Sequence, residues 1–131
     1  MASIFSKIVA GEIPCHKIAE SEHYLAFLDI FPVAKGHTLV IPKKEIDYIF
    51  DLDDETLAGL HIFAKKVALA IQKAVPCERI GVAVVGLEVP HAHVHLIPIN
   101  SMADMNFANK RAVSQEELAQ VAETIRKFWN N

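Results

Sequence analysis

From Val89 to Pro98 the chain reads Val-Pro-His-Ala-His-Val-His-Leu-Ile-Pro, with histidines at alternate positions and apolar, partly β-branched residues between them. As a β-strand, with its period of two, this run puts His91, His93 and His95 on one face and Ala92, Val94 and Leu96 on the other, with roughly 6.5 to 7 Å between successive imidazoles. A fold that accepts such a strand must bury the apolar face and give the other over to chemistry. The connection before it fits that reading: Arg79 to Val85 reads as a buried strand and Gly86 as a turn, so the histidine segment becomes its antiparallel partner across a short link.

The rest of the chain supplies the partners. Thr38-Leu39-Val40-Ile41, ended by Pro42 and preceded by a loop at Pro32 and Gly36, predicts a central strand. His16 to Glu20 and Tyr24 to Leu28 flank the polar break Ser21-Glu22-His23 and predict a hairpin. Ile4, Phe5, Ile8 and Val9 recur at helical spacing ahead of Gly11, a short amphipathic helix that Pro14 prevents from continuing. A long helix follows from Asp51, Asp53 and Asp54 placed before the stripe Leu57, Leu60, Ala64, Val67, Ala68 and Ile71, and Pro76 closes it. Ser114 and Glu117 form a capping box ahead of Leu118, Val121, Ala122, Ile125 and Phe128. Residues Asn100 to Arg111 follow neither period and read as a loop placed to cover a site. Strands in runs, without regular β-α-β alternation, give an α+β domain on an antiparallel sheet.

At 131 residues, 52% of them hydrophobic and 22% charged, the chain is long enough to bury a core as one domain spanning 1–131. Thirteen basic and sixteen acidic residues leave a formal charge of -3, so no general cationic attraction draws it to nucleic acid or an anionic membrane. No secretion signal or membrane-length apolar run is visible, and the protein reads as cytoplasmic. Cys15 and Cys77 belong to no C-x-x-C pair and read as packing residues.

Three chemistries compete for the histidine face. An exposed edge strand is seldom filled with three alternating histidines, and unpaired burial would cost about 1 to 3 kcal/mol per imidazole. A zinc or iron site is compatible with the spacing, but no carboxylate ligand is assignable from sequence. Nucleophilic attack on phosphorus uses the neutral imidazole as nucleophile, with neighbours able to exchange protons near pH ~6.5.

His91-Ala92-His93-Val94-His95-Leu96-Ile97 resembles the histidine-triad (HIT) signature, in which histidines alternate with apolar residues. The stretch Phe27-Leu28-Asp29-Ile30-Phe31-Pro32-Val33-Ala34-Lys35-Gly36-His37-Thr38-Leu39-Val40-Ile41-Pro42-Lys43 resembles the family's second block. Ile4-Phe5 and Gly11-Glu12-Ile13-Pro14 resemble its opening. Length and the Ile-Phe opening make the chain similar to the Hint-like nucleotide-binding branch, and Ala92, where the uridylyltransferase branch has proline, separates it from that branch. The resemblance implies a HIT-like fold with an antiparallel sheet of about five strands, one long central helix and a C-terminal helix.

It also implies a hydrolase or transferase that cleaves nucleoside 5'-phosphoramidates or related conjugates at the α-phosphorus, without a cofactor or a catalytic metal. The alternatives are a nucleotide-binding regulatory module with little turnover and the histidine-metal site. By the same resemblance His93 is the nucleophile, His95 contacts the phosphate, and His91 and His37 support them. Asp29 would bind the ribose hydroxyls; Phe5, Ile8 and Ile30 would hold the base, with Glu88 and Val89 alongside, although core packing explains the apolar three equally well. The partners implied are a purine nucleotide or conjugate and a second copy of the chain, a homodimer formed through the long helix and a sheet edge.

Two departures from the pattern stand out. Gly86-Leu87-Glu88-Val89 replaces a Gly-Gln-Ser/Thr/Ala-Val step, which removes a side-chain amide and a hydroxyl and puts a carboxylate near the expected phosphate. Glu88 is therefore expected to turn away, to accept protons from a leaving amine, or to select a cationic substrate group. Ser3, Ser6 and Glu45 stand where some members carry two cysteines and a histidine for a structural zinc, so no zinc is expected there.

Overall fold

The computed structural model describes residues 2–129. Five strands, β1 (Lys17–Glu20), β2 (Tyr24–Leu28), β3 (Thr38–Pro42), β4 (Arg79–Ala83) and β5 (Val94–Ile99), form one antiparallel sheet in the order β1-β2-β3-β5-β4. The helices are α1 (Ile4–Val9), α2 (Asp54–Ala74) and α3 (Gln115–Arg126). This is the α+β arrangement expected.

β3 is the middle strand and is buried along its whole length because both faces of the sheet are covered. On one face Ala26, Leu28, Val40, Val94 and Leu96 meet α2 and α3 through Leu60, Phe63, Ala64, Val67, Ile71, Leu118, Val121, Ala122 and Ile125. On the other, Leu25, Phe27, Leu39 and Ile41 pack against Phe5 of α1. Each fully buried Leu, Ile, Val or Phe contributes about 1.5 to 3 kcal/mol. Among the described residues, α1 is thus the single α-helical cover on the face that also receives the histidines.

The helix ends follow from their caps. Asp53 Oδ1 accepts from the Thr56 amide at 2.7 Å, and Ser114 Oγ accepts from the Glu117 amide at 3.1 Å. The stripe along α2 is used inside the chain, while Ile62 and Leu69 on its outer side stay exposed. α3 ends at Arg126, so Phe128 lies beyond it and is exposed rather than part of the buried stripe.

The histidine segment differs from the expected strand. β5 begins only at Val94, so of the three histidines only His95 lies in the sheet. The ladders end there: Val40 with Val94 is the last register pair to β3, and Ala83 with His95 the last to β4. Upstream, Pro90 offers no N–H, the His91 amide donates to Val89 O, and the Ala92 amide donates to Ile46 O outside the sheet. The alternation of sides nevertheless persists, since Ala92, Val94 and Leu96 enter the α2 core.

The strand before it also differs. β4 stops at Ala83, is an edge strand with Val82 exposed, and leaves Val84 and Val85 outside the sheet. Its link to β5 is accordingly the loop 84–93 and not a tight turn. The segment 100–111 contains two short 3-10 turns, Met102–Met105 and Phe107–Asn109. Among the described residues, no helix is long and apolar enough to cross a membrane.

Candidate active site

His37 lies between Gly36 and the first residue of β3; the φ of +90° at Gly36 suits glycine, and a Cβ there would lie 3.1 Å from Val75 Cγ2 and 3.3 Å from Pro98 Cγ. The ring of His37 is fully buried, with the Val33 amide donating to its Nδ1 at 3.2 Å. A neutral imidazole that accepts at Nδ1 carries its proton on Nε2. That Nε2–H points at His95 Nδ1, 2.9 Å away, and so fixes the proton of His95 on its own Nε2. One backbone amide thereby sets two tautomers in series. Burial, the largest cause in each, holds His37 down to about 4 and His95 down to about 3, and the charge of Lys110 adds to both. Both rings are neutral at pH 7, and His95 presents an N–H donor.

His91 and His93 are oriented differently. His91 Nε2–H donates to Pro42 O at 2.8 Å, and its Nδ1 accepts from the Ser3 hydroxyl at 2.9 Å. His93 Nδ1–H donates to the His91 carbonyl at 2.7 Å. Of the four rings, His37, His91 and His95 are therefore Nε2–H tautomers, whereas neutral His93 keeps its proton on Nδ1 and has a free Nε2 lone pair. The rings of His93 and His95 are 4.9 Å apart between centroids, with their planes at 63°. Phe5 meets His93 edge-on at 5.1 Å.

Behind His91 lies a closed polar clasp. Ser3 Oγ, the cap of α1, also accepts from the Ser6 amide at 3.0 Å, while Glu45 Oε1 accepts from the Ser3 amide and from the Ser6 hydroxyl, each at 2.6 Å. These bonds hold the exposed Glu45 carboxyl down to about 2, the Ser3 amide being the largest cause. Among the described residues, no buried side-chain nitrogen or oxygen is without a partner.

Two cavities open on His93 and His95. One, of about 250 Å³, is walled by Phe5, Ile8, Phe27, Asp29, Ile30 and Val89. The other, of about 330 Å³, is walled by Val85, Gly86, Leu87 and Phe107. Glu88, His93, His95 and Lys110 line both. All the residues singled out in the sequence thus converge here, with His37 and His91 behind the walls. Ile30 is about half exposed and free of the core, while Phe5 is buried in it. Asp29 Oδ1 accepts from the Phe31 amide at 2.9 Å, its Oδ2 is 3.7 Å from His37 Nε2, and burial raises its pKa.

Two residues that the sequence did not single out belong to the site. Lys110 Nζ is 2.6 Å from Glu88 Oε1, so the carboxylate that looked repulsive toward a phosphate is already paired. Phe107 stacks edge-on to His95 at 4.8 Å. Their only signal was membership of the aperiodic segment 100–111.

Among the described residues, metal binding fits poorly both at the Asp29, His37 and His95 group and at the clasp behind His91. Asp29, His37 and His95 have ligand atoms within 4.8 Å of one another. A cation on His37 Nε2, however, would have to displace the proton that the Val33 amide keeps there, or break that amide's bond. At the clasp, Ser3 and Ser6 are neutral hydroxyls where a structural zinc takes thiolates, and Glu45 and His91 Nδ1 are already hydrogen-bonded. The residues present do not fit a zinc ion.

This geometry has close relatives. The family model described as "HIT domain" matches residues 10–102. Adenosine 5'-monophosphoramidase hnt1 of Schizosaccharomyces pombe is 44% identical over 103 residues, covering 75% of this chain and 74% of that protein. Among solved structures, a Hit-like protein involved in cell-cycle regulation from Bartonella henselae superposes with a TM-score of 0.86 at 35% identity, covering 96% of this chain and 95% of its own. A Zn-bound histidine triad family protein from Mycobacterium smegmatis gives 0.84 at 28% identity, covering 98% and 93%. With its buried histidine relay, its triad and its matched domain, the chain belongs to the HIT family.

Proposed function

We propose that the chain is a nucleotide hydrolase or transferase that cleaves nucleoside 5'-phosphoramidates or related conjugates at the α-phosphorus through a nucleotidyl-histidine intermediate. The observation that carries this reading is the tautomer pattern. His93 alone among the four rings has its Nδ1–H tied to a carbonyl, at 2.7 Å, and its Nε2 lone pair free beside the cavities.

In the first half-reaction the Nε2 lone pair of His93 forms the bond to phosphorus. The P–N bond of the substrate breaks with its electron pair on the leaving nitrogen, which takes a proton from solvent. The His91 carbonyl steadies the positive charge on the His93 ring through Nδ1–H, and His95 Nε2–H donates to a phosphoryl oxygen. His37 keeps His95 in that donor tautomer. Water then attacks phosphorus, loses a proton, and returns the bond pair to His93. Asp29 binds the ribose hydroxyls, and Phe5, Ile8, Ile30 and Val89 enclose a purine. The relative in S. pombe that is named as an adenosine 5'-monophosphoramidase supports this choice.

The working unit is one domain over 1–131. It functions as a homodimer through the outer side of α2 and the β4 edge, a reading supported by exposed Ile62, Leu69 and Val82. The test of activity is incubation with adenosine 5'-phosphoramidate at neutral pH, read as AMP release and an acid-labile AMP adduct on His93. Wild-type hydrolysis no faster than that of His93→Ala refutes it. A second reading, nucleotide binding with little turnover, draws on Glu88 in the cavity wall and predicts AMP binding without an adduct.

A further inference from the structure

The four residues shared by the two cavities divide the site at the place where phosphorus must sit. A nucleoside in the cavity of Phe5, Ile8 and Asp29 puts its α-phosphorus in front of His93. Displacement in line sends the leaving group away from that ring and away from the nucleoside. The space that remains in contact with the same four residues is the second cavity, between Val85, Gly86 and Leu87 on the loop before the triad and Phe107 on the segment after β5. Val85, Leu87 and Phe107 give it one apolar side, with Leu87 almost fully exposed at its rim.

At its threshold stands the Glu88–Lys110 pair, with the two side chains 73% and 34% exposed. The lysine is close enough to His37, His95 and Asp29 for its charge to act on all three. An arriving phosphoryl anion competes for Lys110, and once the ammonium turns to it Glu88 has lost its partner beside the leaving atom. A leaving group with an N–H satisfies that carboxylate, and an anionic one is repelled by it.

We infer that the second cavity is a leaving-group site selective for amines with an apolar body, in which Lys110 takes a phosphoryl oxygen and Glu88 takes the N–H of the departing amine. This rests on the hydrolase reading above. The bond changes are those already written: the P–N pair stays on the amine nitrogen, which takes one proton from solvent and leaves as the neutral amine, its N–H received by the Glu88 carboxylate.

The test compares kcat/KM of the wild type for adenosine 5'-phosphoramidate, its N-benzyl derivative, and diadenosine triphosphate, whose leaving group is anionic. The expected order is N-benzyl first, by about tenfold over the unsubstituted compound, and the triphosphate last by at least about tenfold. Glu88→Gln should narrow the gap between amine and triphosphate about tenfold, and Leu87→Ser at the exposed rim should bring the ratio of the N-benzyl to the unsubstituted rate down to about one. Equal rates for the two amines, or a gap that Glu88→Gln leaves unchanged, overturn the leaving-group site while AMP release continues. No AMP release from any of the three overturns the hydrolase reading and this inference together.

Discussion

Removing one hydroxyl, Ser3→Ala, should separate the clasp behind His91 from ordinary helix capping. Ser3 is nearly buried and its oxygen has two duties, accepting the Ser6 amide at the start of α1 and donating to His91 Nδ1. Loss of an N-cap hydroxyl costs about 1 kcal/mol. Leaving a buried imidazole nitrogen without a donor costs a further ~1 to 3 kcal/mol. Ser6 Oγ, however, lies 3.4 Å from the same nitrogen and can rotate to replace the lost donor. Ser3→Ala alone should therefore fall near the lower bound, about 2 kcal/mol, and Ser3→Ala/Ser6→Ala near the upper, about 4 kcal/mol. Ser6→Ala alone should change little, so the pair should couple by at least about 1 kcal/mol.

Urea unfolding followed by Trp129, the single tryptophan in the chain and edge-on to Phe63 at 5.5 Å, reads these values directly. For a chain of this size ~2 kcal/mol corresponds to a fall in Tm of about 6 to 10 °C. A loss below about 0.5 kcal/mol in Ser3→Ala, or strict additivity in the double variant, would show that the hydroxyl does not hold His91 and that the reasoning is wrong.

Because His37 and His95 titrate at about 4 and about 3 in the folded chain, below the ordinary histidine value, the unfolded chain binds more protons as pH falls below ~6.5. Stability should be fully present above that pH and decline toward pH 4; urea midpoints at pH 7, 5.5 and 4.5 check this, and a flat profile contradicts it. Gly36→Ala puts a Cβ against Val75 and Pro98 at positive φ and should cost about 2 kcal/mol by thermal unfolding, with lower AMP release because His37 follows it. Gly59→Ala should gain the helix propensity of alanine, about 1 kcal/mol, yet be less stable than wild type by urea titration, since its Cβ falls on the Tyr24 hydroxyl that donates to Thr56 O.

What the sequence shows of this fold is what local periodicity and caps control. The hairpin of β1 and β2, the buried β3, and the starts of α2 and α3 at Asp53 and Ser114 depend on neighbours a few residues away. The errors lie where tertiary pairing decides. Val84 and Val85 have strand propensity but no second neighbour beyond the edge, and Pro90 with the Ala92–Ile46 bond draws the histidine segment out of the ladder. The Glu88–Lys110 pair joins residues 22 apart, and Lys110 lies in the segment 100–111 that has no period, so charge at Glu88 looked unanswered.

The site divides along the same line. Alternation correctly assigns Ala92, Val94 and Leu96 to the core side, because side-chain direction is local even where the ladder has ended. It assigns no roles to the imidazoles, since a histidine's role depends on which nitrogen holds the proton, and that is decided by atoms remote in sequence. Pro42 O fixes His91, and the Val33 amide fixes His95 by acting through His37, which is 58 positions from it in the chain. His93 is the exception, held by the carbonyl two residues before it. The bend that takes His93 out of the sheet allows that bond to form, since a residue in a regular ladder has its preceding carbonyls directed to neighbouring strands. The departure from regular β structure and the free Nε2 of His93 therefore have one cause, and a change that restored strand pairing at residues 91–93 would be expected to remove the nucleophile's tautomer along with the bend.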